Sequence, residues 1–260
     1  MDNVRRETEM NRLLKREWER KRTTIIVRSA ILLIIPILVL LIYKLSPSIF
    51  LNIRKYLVSM PQAVKTIFGF GIFDKRSDFS VYLFAIAGVI NFFNMGLHGM
   101  EAADDTVSEE RTGMASFLLA RLSSRDDYCR NKARFTTFTI LTEQVIWSTY
   151  LGLIAVVGSS IKEQRLSSLM WAGKILILYS VIGIFISCTE FLLGATKRRS
   201  EYSNHWESFG IAFVLLVFLA NPLREYRVIY MVAFFALSLI LSMAFITIGV
   251  EEYKKRWIVD

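Results

Sequence analysis

Apolar and polar residues come in blocks along this chain and do not alternate residue by residue. Six apolar blocks stand out, at about residues 24–43, 79–100, 133–158, 169–195, 202–220 and 228–250. Each is near the length of about 20 residues that a helix needs to cross a bilayer core. The pattern predicts an all-α membrane protein with six transmembrane helices. Residues 1–23 predict an N-terminal amphipathic helix, with Met10, Leu13, Leu14 and Trp18 on one face and arginines and lysines around the rest. Such a helix lies in the membrane interface, its basic side toward anionic lipid. Residues 24–260 then form one six-span domain. Pro36 falls inside the first block and predicts a kink there. The segment 46–78 is broken by Pro47, Pro61, Gly69 and Gly71, yet is too apolar for a free loop; it predicts short helices in the outer interface. Asn221-Pro222 marks a tight turn before the last block.

The longest polar stretch between two blocks is 102–132. It holds a short amphipathic helix of its own. Met114, Phe117, Leu118 and Leu122 fall on one helical face, and Gly113 permits a sharp turn before them. Ser124 is placed to cap the next helix, with Asp127 three residues on. Arg130, Lys132 and Arg134 then reach the inner headgroups. A solvated linker has no reason to keep an apolar helical face, so this stretch predicts a docking helix held at both ends by spans.

Composition narrows the class. The chain is 53% hydrophobic over 260 residues, and six spans leave no room for a soluble catalytic domain. The net charge of +9 therefore belongs to loops and ends and does not describe a nucleic-acid surface. Lysines and arginines set the orientation: with the N-terminus inside, the inner segments carry 20 and the outer segments 9. Both termini and the 102–132 loop are expected in the cytoplasm, and the chain in the cytoplasmic membrane as a multi-pass protein. No cleavable signal peptide is expected at the start. Cys129 lies in the loop and Cys188 in a span, which argues against a structural disulfide.

Several charged or polar residues fall within or beside the blocks. Arg28 lies near the start of the first span, where it can snorkel to the headgroups with no further role. Glu143-Gln144 and Glu190 are intramembrane, as are Asn91 and Asn94. Such residues line a path, pair with a basic group or join helices. Glu143, Asn91 and Asn94 are the candidates for a substrate path. His98, Glu101 and Asp105 lie near one helical face; the plain reading is a helix turning polar as it reaches water, and no metal site is expected. Gly183 and Ser187 have the spacing of a close helix contact. Glu251, Glu252 and Arg256 spell EExxxR, which resembles a motif of CAAX-type intramembrane proteases. Those enzymes need histidines downstream, whereas His98 and His205 lie upstream, so the segment is read as a basic anchor.

The run EERTGMASFLLARLSSRDDYCRNK resembles the signature of type 2 ABC exporter permeases. Glu110, Arg111, Gly113, Leu118, Leu119, Ser124, Arg125 and Lys132 match it. Met114 stands where the family has Thr, Ser116 where it has Glu, and Leu122 where it often has Pro. The interfacial helix, the six spans and the long first outer segment also agree with that family. The resemblance implies a transmembrane subunit that docks a separate ATPase through a cytoplasmic coupling helix. Its coupling residues would be Glu110, Arg111, Gly113, Met114, Phe117, Leu118, Leu122, Ser124 and Arg125. It further implies two copies of the permease with two ATPase subunits. Gly173-Lys174 continues into Ile175 and is no P-loop, so ATP and Mg would be bound by the partner, with no cofactor in this chain and no enzyme activity of its own. Mostly apolar and aromatic spans suit an amphipathic peptide as cargo, as in export of antimicrobial peptides or phenol-soluble modulins. Ions, drugs and lipid-linked sugars are alternative cargoes for this family, and a non-transporting membrane scaffold is the alternative class.

Overall fold

The structure is a computed structural model that describes residues 2–61, 79–111, 125–159, 162–196, 209–211, 214 and 228–256. Among these the chain is all helical: α1 (Asp2–Leu45), α2 (Pro47–Ser59), α3 (Phe79–Arg111), α4 (Arg125–Gly158), α5 (Lys162–Thr196) and α6 (Val228–Arg256). Five stretches are long and apolar enough to cross a membrane: Lys15–Leu45, Phe79–Val107, Arg130–Gly158, Leu176–Thr196 and Val232–Lys255. This is a multi-pass helical membrane protein. The further span expected at 202–220 lies mostly outside the described residues. So do the Asn221-Pro222 turn and the expected docking helix at 114–122.

Two features differ from the blocks read along the chain. The first is that α1 is a single helix from Asp2, so the N-terminal amphipathic stretch is continuous with the first span. No proline or glycine falls between residues 2 and 35 to interrupt it. The second is that α3 continues past its apolar part to Arg111, and α4 begins ahead of its own at Arg125. Both helices therefore project as rods to the two ends of the 112–124 segment. The end of the bundle where they do so is called the loop end below.

α5 is the central helix and packs along α3, α4 and α6, while α1 packs mainly on α4 and more lightly on α3. Small residues let the backbones close up. A Cβ on Gly194 would sit 3.1 Å from the Ala103 carbonyl oxygen and 3.3 Å from its Cα, so α3 and α5 nearly touch at the loop end. Tyr179 on α5 donates to the Gly88 carbonyl on α3 at 3.0 Å, nearer the opposite end. At that far end Tyr43, Phe50, Phe79 and Tyr82 form an aromatic cluster that ties α1, α2 and α3, with centroids 5.0–5.2 Å apart for three of the pairs. Pro47 opens α2 at a position where a missing N–H costs nothing, and Phe50 is its buried anchor. At the loop end, Tyr128, Phe191, Val250 and Tyr253 close a second cluster between α4, α5 and α6. Both α5 and α6 end there, so the two run parallel.

Pro36 explains one contact between α1 and α4. Proline has no N–H, so the carbonyl four residues back, that of Leu32, loses its helical partner. The indole Nε1–H of Trp147 on α4 fills that vacancy at 3.1 Å. A buried carbonyl left open costs about 1–3 kcal/mol, so the bond locks α1 against α4 in one register. Trp147→Phe is expected to lower stability by about that amount, read by thermal unfolding in detergent. The loss should shrink in a Pro36→Ala background, where residue 36 regains its own N–H. An equal loss in both backgrounds would mean the ring's packing, and not this bond, carries the effect.

Candidate functional site

The loop-side half of the α1–α3–α4 interface is polar, and it is where the charged residues of the spans converge. On α3 the residues Asn91, Asn94, His98, Glu101 and Asp105 recur every three or four positions and so form one face. On α4 the corresponding stripe is Lys132, Thr136, Glu143, Gln144 and Trp147. On α1 it is Glu17, Lys21, Arg28 and Leu32, with Arg20 alongside. α3 runs antiparallel to both of these helices, and the stripes meet from the loop end outward.

The centre is Arg28. It is 8% exposed, so it does not snorkel to the headgroups. Its Nε and Nη2 both donate to Glu143 Oε1, at 3.2 and 2.7 Å, and its Nη1 donates to Glu101 Oε1 at 2.6 Å. One guanidinium from α1 thus holds a carboxylate from α4 and another from α3. The planar fork of arginine suits this; a lysine has no such spread of donors. His98, 1% exposed, brings Nε2 to 2.9 Å from the other oxygen of Glu143.

Towards the loop end, Asp105 is the second node. It accepts from Arg20 at 2.7 Å, from Lys21, and from the Thr136 hydroxyl at 3.1 Å. Arg20 also reaches Glu17 at 2.6 Å on its own helix. Away from the loop end, Asn91 and Gln144 exchange two hydrogen bonds, at 2.9 and 3.1 Å, between α3 and α4. Between that pair and His98 lies Asn94, 3% exposed, with neither amide atom hydrogen-bonded. Lys132, expected at the headgroups, is 2% exposed and lies over the rings of Tyr128 and Tyr253 at 5.4 and 6.0 Å; Arg130 and Arg134 are exposed as expected.

Glu143, Asn91 and Asn94, the candidates for a substrate path, are buried between helices, and the first two are interhelical tethers. His98, Glu101 and Asp105 share a face but turn to different partners, and among the described residues no group of three or more His, Cys, Asp or Glu is placed to hold a metal. Of the coupling residues, Glu110 and Arg111 close α3 and Arg125 opens α4, while Gly113, Met114, Phe117, Leu118, Leu122 and Ser124 lie outside the described residues. Cys188 is a buried free thiol. Gly183 is a close contact as expected, meeting Met95 and Ile140. The residues that sequence reasoning missed are Arg28, Arg20 and Lys21 as partners of the carboxylates. Their signal was present: Arg28, Lys21 and Glu17 keep helical spacing with Leu32, on the face that turns inward. Comparison with protein-family models, curated proteins and solved structures found no match.

Removing one member of a buried ion pair strands the other, at a cost of about 3–5 kcal/mol. Arg28→Leu is expected to destabilise the protein on that scale, and Arg28→Leu combined with Glu143→Leu to recover most of the loss. Thermal unfolding in detergent reads both. A single variant as stable as the parent would mean that the carboxylates are solvated and that Arg28 is not their counter-charge.

Proposed function

We propose that this chain is the transmembrane permease subunit of an ATP-driven exporter of the type 2 ABC kind. The observation that carries the reading is mechanical. Two helices that cross the apolar layer, α3 and α4, continue unbroken to Arg111 and from Arg125, the two ends of the stretch that resembles a coupling helix. A push on residues 112–124 is delivered to both rods at once. The buried charges then pass it to α1, because Arg28 is bound to Glu101 on α3 and Glu143 on α4, and Asp105 is bound to Arg20 and Lys21.

In this reading the loop end faces the cytoplasm and a separate ATPase docks there, bearing the ATP and Mg. The span expected at 202–220 is the sixth crossing in this reading. Two permeases and two ATPases make the working unit in the cytoplasmic membrane. ATPase closure pushes the coupling helix, the spans rearrange, and cargo leaves by alternating access. An amphipathic peptide is the cargo that best suits the mostly apolar and aromatic spans.

The test is reconstitution with the cognate ATPase in liposomes, with ATP turnover measured against amphipathic peptides and against ions. Peptide-dependent turnover supports the reading; no complex and no turnover leaves a membrane scaffold. Phe117→Asp is expected to weaken co-purification of the ATPase at least about tenfold, since it places a charge where the docking face must be dry, while insertion is unchanged. Co-purification equal to the parent would remove the coupling helix from the reading.

A further inference from the structure

His98 is held between two acids. Its Nε2 is 2.9 Å from Glu143 Oε2 on α4, and its Nδ1 is 3.9 Å from Glu101 Oε2 one turn along α3. Each ring nitrogen thus has a carboxylate oxygen within 4 Å, and His98 Nε2 and Glu143 Oε2 are buried without completing a hydrogen bond. A neutral imidazole has one N–H and one lone pair, so one nitrogen would point its lone pair at an anion. Only the imidazolium presents an N–H to each. The charge count agrees. At this junction one guanidinium, Arg28, is paired with two carboxylates, Glu101 and Glu143. One proton more makes the group neutral, which matters at a depth where unbalanced charge is costly.

The other charged groups nearby are engaged with one another. On α1, Glu17, Arg20 and Lys21 lie two or more turns nearer the loop end, and the two cations hold Asp105 of α3. On α4, Lys132 lies at that lower level, over Tyr128 and Tyr253. On α5, the helix packed along α3, Glu190 is fully buried near the level of Glu101 and adds a further acid to this region.

We propose that this junction is an intramembrane proton-binding site. A single proton taken from water is held between His98 Nε2 and Glu143 Oε2, with the second ring N–H turned toward Glu101. No other bond forms or breaks. With the proton bound, Glu143 is tied to α3 through His98 as well as to α1 through Arg28. With the proton released, the one remaining N–H can still serve Glu143 from Nε2, but Nδ1 then turns a lone pair toward Glu101 and the ring no longer balances the second carboxylate. The net charge buried among α1, α3 and α4 thereby depends on proton concentration. The proposal stands on this geometry and not on the exporter reading.

The chain has two histidines, His98 and His205, so His205→Gln leaves the ring in question as the only one. That variant, with its histidine labelled with nitrogen-15 and placed in lipid bilayers without any ATPase, is read by solid-state NMR between about pH 5 and 8, the range in which imidazole ordinarily changes charge. The expected result is a ring with both nitrogens protonated on the acid side. In Glu143→Gln, and separately in Glu101→Gln, the doubly protonated signal at the acid end of the range should be at least about tenfold weaker, since the counter-charge that favours the cation is gone. A ring that stays neutral across the whole range overturns the proposal, whatever either Gln variant does. So does a titration that neither substitution moves. Since no ATPase is in the sample, failure here is distinct from failure of the exporter reading.

Discussion

A buried guanidinium between two carboxylates is the constraint on which the described arrangement depends. Arg28 lies well inside the loop-side half of a helix that is otherwise apolar from Thr24 to Tyr43. In water its charge would cost nothing; within the bundle it requires partners, and losing them is expensive. Since the partners come from two other helices, three helices are fixed in rotation and register by one side chain. Apolar packing does not specify this as sharply, because leucines and isoleucines slide past one another at little cost. The Trp147 bond to the Leu32 carbonyl sets the same register independently one turn away. Charge and backbone vacancy agree on a single fit of α1 against α4.

The spans were legible in the sequence because their physics is one-dimensional. A block of about 20 apolar residues has few alternatives to crossing a bilayer, and five of the expected blocks fall on helices long and apolar enough to do so. Helix ends were less legible. α3 runs on to Arg111 through Asp104 and Asp105, past the point where the apolar block ends and the polar stretch 102–132 begins. They are helical because that polarity is spent on partners: Asp105 is buried under Arg20 and Lys21. A carboxylate in a sequence is marked polar whether water or an arginine satisfies it.

The pairing itself was not legible for a related reason. Arg28 lies 115 residues from Glu143 in the chain. Spacing along one helix says which residues share a face, and it did place His98, Glu101 and Asp105 together on α3. It does not say which face of which helix lies opposite. Read alone, an arginine near the end of a span is most simply explained by snorkelling, and a lone histidine beside acids by the approach of water. Only the juxtaposition shows that each of these was half of a pair. A net charge is equally silent, because buried pairs cancel within it.

The placement of these pairs limits how the bundle can move. Every interhelical charge contact described lies in the loop-side half, while the far half is joined by aromatic rings, apolar contacts and a tyrosine hydroxyl. Apolar contacts tolerate small sliding; a guanidinium shared by two acids does not, since a shift of a few ångströms strands a charge. The loop-side halves of α1, α3 and α4 therefore behave as one stiff unit, and the far ends are where they can spread. A force applied between Arg111 and Arg125 meets the stiff end first. In the exporter proposed above, that end takes the push and the far end opens, which is the order of stiffness such a task demands.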